Sequence, residues 1–351
     1  MIMNQTDETV STDMVTSFNG NSCEEVEVKP VDFTNPYISI LLVFGLIGSV
    51  GNAVVVVVIM RSKSLRSKLT YQLVCNLACS DFVASVFMIP RPDIAYDQSI
   101  VMKIVCRVYG SDFPLWMSFV VSVMAMLMIA LDRYWAIVSP LKYQTITLSG
   151  KTFLLIVFPW VAGFVIQGFC IIVRDVDECG KCRNFYNWEY ALPMVGSTVF
   201  IFSYLIPIIC MMFLYYKIIQ SMSTMAKNMA DYQQDKAAKT LAKTKTKMVW
   251  VFFALTVFFT VTWGPDQFLY LSYTMGASVY KGTVYNKLIV LIAFSNSIIN
   301  PYVYAFTQNT VRRKLGLDRK KKRKQAAFSI DKSTNSTTES SRTSNTSLST
   351  I

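Results

Sequence analysis

Asn296-Ser297-Ile298-Ile299-Asn300-Pro301-Tyr302-Val303-Tyr304 (296–304) closes an apolar run that begins near residue 284. Two amides, a hydroxyl and a proline sit where a span of that length would otherwise be hydrocarbon, and polar groups there persist mainly where they do something. Read outward from this stretch, the chain repeats the pattern. LACSD (77–81), DRY (132–134) and TWGP (262–265) each lie in or beside another long apolar run. Run length places seven candidate spans at roughly 37–60, 70–90, 107–138, 151–173, 191–220, 247–275 and 284–307, each long enough to cross a bilayer. The expected fold is an all-α membrane protein: a bundle of seven transmembrane helices, followed by a short amphipathic helix.

Composition agrees. Of 351 residues, 53% are hydrophobic, and repeated apolar runs of this length are foreign to soluble domains. Histidine is absent, which excludes His-type zinc sites and Ser-His or Cys-His nucleophile pairs. No catalytic cluster is visible, and the chain does not read as an enzyme. The eight cysteines are scattered, apart from Cys179-Gly-Lys-Cys182, whose polar flanks suit a disulfide on an oxidising face.

Charge orders the chain across the membrane. Residues 1–36 hold seven acids and one lysine, together with the sequon Asn4-Gln5-Thr6, which suits an outside location and glycosylation at Asn4. No basic flank, apolar core and cleavage site precede the first span, so that span is expected to direct insertion. The loop after the first span carries Arg61, Lys63, Arg66 and Lys68; that after the fifth carries Lys227, Lys236, Lys239, Lys243 and Lys245; RKKKRK (319–324) follows the last. Loops on one side are basic, so the positive-inside rule puts the C-terminus in the cytoplasm and the N-terminus outside. The net charge of +12 comes largely from this asymmetry and needs no nucleic acid, and RKKKRK beside the last span is expected to meet anionic lipid. The expected organisation is a tail over 1–36, a seven-span domain over 37–307, an amphipathic helix over 308–318 along the inner leaflet, and a basic, Ser/Thr-rich disordered tail over 319–351. Its hydroxyls suit kinases.

Asp81 in the second span must be neutral, paired or ion-bound. Asn52, Ser122, Asn296, Ser297 and Asn300 could join it; Asn296 and Asn300 share a helical face, with Tyr304 next along it. Either a hydrated pocket for a small cation such as sodium or a purely structural hydrogen-bond network fits these residues. Arg133 beside Asp132 can stay paired or swing toward a docked partner. Pro207, Pro265 and Pro301 each remove a backbone donor and allow a bend, and Trp263 stands two residues before Pro265, where a ligand above could lever it.

Together these residues resemble the rhodopsin-like (class A) family of G-protein-coupled receptors over about residues 37–316. The carriers are Gly51-Asn52, LACSD with Asp81, LDRYWAIVSP (131–140), Trp160, Pro207 with Tyr215, Phe259…Trp263-Gly-Pro265 and Asn300-Pro-Tyr-Val-Tyr304. Any one is weak as a pattern; seven in order, each on its own span, are specific. The resemblance implies a plasma-membrane receptor in which an extracellular ligand shifts Phe259 and Trp263. The inner end of the sixth span then moves outward, and Asp132, Arg133, Tyr134, Tyr215 and Tyr304 form the surface that admits a heterotrimeric G protein. It further implies an allosteric sodium ion among Asn52, Asp81, Ser122, Asn296, Ser297 and Asn300, no other cofactor, and receptor kinases and arrestin acting on the Ser/Thr-rich tail. Cys106 matches the family's disulfide partner for the second outer loop, with Cys182 or Cys179 as its mate and the spare cysteine available to Cys23.

The chain departs from the family in three places. Cys106 to Arg133 is about two residues longer than the pattern. Counting back from Arg133 puts Leu115 at the position where amine receptors carry an Asp, counting from Cys106 gives Phe113, and Asp112 adjoins both. Phe294 stands where an opsin has its retinal lysine. The stretch KTKTK (243–247) replaces the acid that often latches the arginine from the sixth span. Asp266 and Gln267 just past Pro265 face the expected cavity, with Phe113, Trp116, Trp188, Tyr270 and Tyr273 as aromatic lining. TWGPDQ and the tail of the third span look most like receptors for neuropeptides, broadly the galanin, kisspeptin and somatostatin group. A peptide with a basic or amidated end could meet Asp266. A lipid or small-amine receptor is the alternative within the class, and a transporter or channel the alternative outside it.

Overall fold

A computed structural model describes residues 30–92, 94–148, 152–186, 190–231, 236–277 and 283–307. Asn4, Cys23, Trp188, the expected amphipathic helix over 308–318 and the tail over 319–351 lie outside the described residues. The chain divides into two compact units, residues 1–303 and 304–351; of the second, only the end of the last helix is described.

Among the described residues, seven helices are long and apolar enough to cross a membrane: Pro36–Arg61, Leu69–Met88, Phe113–Val138, Thr152–Ile172, Ala191–Met225, Thr246–Thr274 and Val284–Tyr304. Helices solve the problem that a bilayer poses, because every backbone N–H and C=O is satisfied within the segment. The first opens with Asn35, whose side chain accepts from the Tyr37 backbone N–H at 3.0 Å, and with Pro36 in its first turn, where a missing donor costs nothing. Its exposed side bears Val43, Leu46, Val50, Val54 and Val57, an apolar stripe at helical spacing that suits lipid. The third span is the hub, the most buried of the seven, whereas much of the first is exposed.

Polar groups tie the spans together. The Asn76 amide on the second donates to the Ile156 carbonyl of the fourth at 3.0 Å, and its oxygen accepts from Trp160 Nε1 at 2.7 Å. Close approach does the rest. A Cβ on Gly45 would stand 2.9 Å from the Ser85 carbonyl oxygen, and one on Gly51 2.9 Å from the Pro301 ring.

Three departures from the expected spans have physical causes. The third apolar run is not one helix from residue 107. A short helix over Ile100–Val105 passes into a wide π turn at Cys106–Gly110, a turn at Ser111 and Asp112 breaks the helix, and the long helix starts at Phe113. Pro114 in its first turn suits a helix start, and Asp112 takes a left-handed φ of 55°, a conformation open to Asp at modest cost. The fifth span carries a second π turn at Phe200–Leu205, just before Pro207. The proline ring crowds the carbonyl four residues back and leaves it without its donor, which a wider turn accommodates. Strands Arg174–Val176 and Cys182–Asn184 pair antiparallel as a small hairpin, with Val176 opposite Cys182. Runs of three residues are too short to show an alternating pattern.

Candidate functional site

Four clusters of the predicted residues lie along the bundle. Nearest the hairpin, Cys106 is disulfide-bonded to Cys182, which decides between the two candidate mates. Cys179 is also disulfide-bonded, while Cys23 lies outside the described residues. The bond fastens the hairpin over the start of the third span. Arg107 donates to the Asp175 carboxylate at 2.8 Å, and Arg174 donates to the Gly110 carbonyl at 2.8 Å. The Val176 N–H and then the Arg107 guanidinium hold the Asp175 carboxyl below its ordinary value. Arg174 lies below its usual range because burial disfavours its charge.

Beneath this roof is an aromatic cluster. Phe119 meets Trp263 edge-on at 4.7 Å between ring centroids and stacks on Phe294 at 5.1 Å. Trp116 lies 6.0 Å from Phe119 and 6.3 Å from Phe294, and Phe259 lies 6.0 Å from Trp263. Such contacts each add about 0.5–1.5 kcal/mol beyond burial, so Trp263 cannot turn without disturbing the third and seventh spans together. The Trp116 and Trp263 indole N–H groups are buried without an acceptor. Asp266 and Gln267 are buried at 7% exposure each, one turn beyond Trp263, with Tyr270 and Tyr273 half-buried after them. Tyr204 of the fifth span donates to the Thr260 carbonyl at 3.0 Å, close under the bend that Pro265 permits in the sixth. Phe113 instead packs edge-on against Phe164 of the fourth span at 5.9 Å, Leu115 is buried, and Asp112 is ion-paired with Arg91.

Midway down, Asp81 is fully buried and its Oδ2 accepts from the Asn300 amide at 2.7 Å. Ser122 and Ser297 stand close to the same carboxyl, although neither hydroxyl completes a well-directed hydrogen bond. Asn52 donates to the Gly48 and Ser297 carbonyls at 3.0 and 2.9 Å, tying the first span to the seventh. Asn296 is buried one turn before Asn300. Asp81 Oδ1 and the side-chain oxygens of Asn52, Ser122, Asn296, Ser297 and Asn300 are all buried without a partner. A concentration of unsatisfied oxygens around one carboxylate is rare in folded chains.

At the other end of the third span, Arg133 Nε donates to Asp132 Oδ2 at 3.0 Å, and its Nη2 reaches both Asp132 and Thr70 Oγ1. Thr70 donates in turn to Asp132 Oδ2 at 2.9 Å. The clasp is buried, with Asp132 at 0% and Arg133 at 9% exposure. Tyr143, in the helix after the third span, is pushed up to about 12, first by burial and then by the Asp132 charge, so it faces the clasp as a neutral phenol. Tyr134 is half-buried. Tyr215 is fully buried and meets Phe253 of the sixth span edge-on at 5.5 Å. Pro207 and Pro301 are buried, and Tyr304 begins the second unit, also buried.

Four participants escaped the sequence reading: Thr70, Arg91, Phe119 and Tyr204. Phe119 follows Trp116 by three residues, so helical spacing put it on the same face. Thr70 and Arg91 carry no such signal, since their roles arise across spans.

The sequence pattern of the 7 transmembrane receptor (rhodopsin family) matches residues 51–304, well over half of the chain. The chain belongs to this family. Curated relatives of this family member include Galanin receptor 2a of Danio rerio, 26% identical over 302 residues that cover 84% of this chain and 81% of the relative. Galanin receptor type 1 of Rattus norvegicus is 27% identical over 286 residues, covering 78% and 80%. Rhodopsin of Loligo forbesii is 25% identical over 289 residues, covering 78% and 63%. Membership makes the protein a multi-pass membrane receptor of the rhodopsin family and not an enzyme, and it displaces the transporter or channel reading.

Proposed function

We propose that this receptor sits in the plasma membrane with its N-terminus outside, binds an extracellular peptide at the disulfide-bearing end and activates a heterotrimeric G protein at the arginine-bearing end. The observation that carries the reading is the buried clasp of Arg133 with Asp132 and Thr70. A charged side chain held by two neighbours can be released as well as kept, and a docked partner can compete for it. The basic loops support the orientation. The galanin receptors among the relatives support a peptide ligand.

Activation is a difference of binding energies. Ligand must bind the active arrangement better than the resting one, and G protein must do the same from the other side. The Phe119–Trp263–Phe294 cluster is the element that a ligand would reset. The Tyr204–Thr260 contact and the bend at Pro265 then carry the change to the inner half of the sixth span, whose outward movement uncovers Arg133. Receptor kinases and arrestin would act on the Ser/Thr-rich tail.

A sodium ion is proposed for the pocket around Asp81. One carboxylate among neutral oxygens of Asn52, Ser122, Asn296, Ser297 and Asn300 suits a hard monovalent cation, and a divalent one would want more carboxylates. Bound there, the ion would satisfy the orphaned oxygens and favour whichever arrangement keeps them together.

The test is expression in cells with a G-protein reporter and a panel of amidated peptides. A peptide-dependent response that disappears in Arg133→Ala and Trp263→Ala, with surface expression retained, supports the reading. Ligand binding that persists with no reporter response in any G-protein background would overturn it.

A further inference from the structure

Two acids, Asp112 and Asp266, are buried in or beside the spans, where an unpaired charge is expensive, and they differ in company. Asp112 is ion-paired with Arg91, whose guanidinium also lies 4.2 Å over the Tyr109 ring and 5.5 Å from Phe87. That acid is engaged within the protein. Asp266 is equally buried at 7% exposure, yet its hydrogen bond is a long one, 3.4 Å from the Gln267 amide. No lysine or arginine among the described residues reaches ion-pair distance of it.

Its surroundings are aromatic and short of partners. Asp266, Gln267 and Tyr270 stand three, four and seven residues after Trp263, along one face of the sixth span. Tyr37 and Tyr270 lie within electrostatic range of the Asp266 carboxyl. Gln267 Oε1, the Tyr37 hydroxyl and the Trp263 indole N–H are all buried without a partner. Lys287 turns its Nζ onto the Tyr37 ring at 5.7 Å.

We propose that Asp266 is the counter-ion for a cationic group of the ligand, an ammonium or guanidinium bound between the Asp266 carboxylate and the Tyr37 and Tyr270 rings. A buried carboxylate favours a cation as partner, and aromatic faces complement the same charge. The cation anchor of this receptor thus stands on the sixth span, while the acid at the start of the third is spent on Arg91. The inference rests on the receptor reading and narrows its ligand from a peptide in general to one with a positive group.

The experiment uses the full-length receptor in lipid nanodiscs. Ligand-free thermal stability is measured first for wild type, Asp266→Asn and Lys287→Met. An uncompensated charge predicts that Asp266→Asn raises the midpoint by about 2 °C or more and that Lys287→Met leaves it unchanged. If both variants lower the midpoint and the double variant lowers it no further, Asp266 and Lys287 are an internal pair and the proposal fails. Affinity selection follows, with amidated hexapeptides offered as matched lysine and Nε-acetyl-lysine forms. Wild type should retain the lysine forms about tenfold better, the worth of one charge-assisted hydrogen bond, and Asp266→Asn should lose the preference. Equal retention of both forms by wild type overturns the proposal. Small monoamines and their N-acetyl derivatives form a second set. If amines are retained in an Asp266-dependent way while peptides are not, the peptide reading falls and the cation anchor stands.

Discussion

Asn300 of the seventh span donates its amide to the Asp81 carboxylate of the second at 2.7 Å, joining residues 219 positions apart in the chain. Both are fully buried, so water offers neither a substitute. The bond puts the two ends of the bundle in touch. Asp81 lies on the arginine side of the Phe119–Trp263–Phe294 cluster, and Asn300 stands six residues beyond Phe294 on the same helix.

Asn300→Ala leaves the Asp81 carboxylate without its donor. The expected loss is about 1–3 kcal/mol, read as a lower thermal midpoint of the purified receptor. Asp81→Asn keeps a polar partner for Asn300 and removes the charge. Agonist affinity in wild type is expected to fall severalfold when choline is replaced by sodium at equal ionic strength, and to be indifferent to that change in Asp81→Asn. Equal sodium sensitivity in the two proteins would remove the ion from the account.

Thr70→Val preserves shape while removing an acceptor of Arg133 and a donor to Asp132. The resting arrangement loses about 1 kcal/mol from that hydrogen-bonding pair. The active population should rise about fivefold, visible as higher ligand-independent reporter output at matched surface expression. Unchanged basal output would show that the clasp does not hold the resting state.

Gly45→Val tests the packing of the first two spans. An added Cβ would meet Ile89 Cγ1 at 2.6 Å and the Ser85 carbonyl oxygen at 2.9 Å, and backbone cannot yield as a side chain can. Overpacking of this kind costs about 1–3 kcal/mol. We expect reduced recovery of folded receptor from detergent, with the ligand affinity of the surviving fraction unaltered.

The disulfide-bonded hairpin should be acid-sensitive. Asp175 is held below its ordinary value by the Val176 N–H and by Arg107. A carboxyl depressed in the folded state contributes stability that is fully present above its unfolded pKa and is lost as pH falls through the folded one. Hydrogen-exchange protection of residues 174–176 should therefore hold from neutral pH down to about pH 4 and decline below it. In Asp175→Asn the protection should be lower at neutral pH and show no acid step.

Much of the molecule was legible in one dimension. Span length follows from bilayer thickness, and Asp81, Arg133, Trp263 and Asn300 stand out because such residues are costly in an apolar run. Other features escaped for physical reasons. The start of the third span turned on a π turn and a left-handed Asp112, local irregularities with no periodic signature. The choice of Cys182 over Cys179 depended on where a three-residue strand pairs. Thr70 is one threonine among many until the third span brings Asp132 against it.

By itself the chain determined how many times it crosses the membrane, which end of each span is basic, and which polar residues had to find partners, because hydrocarbon penalises an unsatisfied backbone or side chain wherever it occurs. Only the tertiary structure decided which partners were found. Asp112 took Arg91, Asp81 took Asn300, Arg133 took Thr70 as well as Asp132, and among the described residues Asp266 was left with Gln267. Pairing of that kind depends on the rotation and depth of one helix against another. Side-chain packing across the bundle sets those quantities, and no periodicity within a single span contains them.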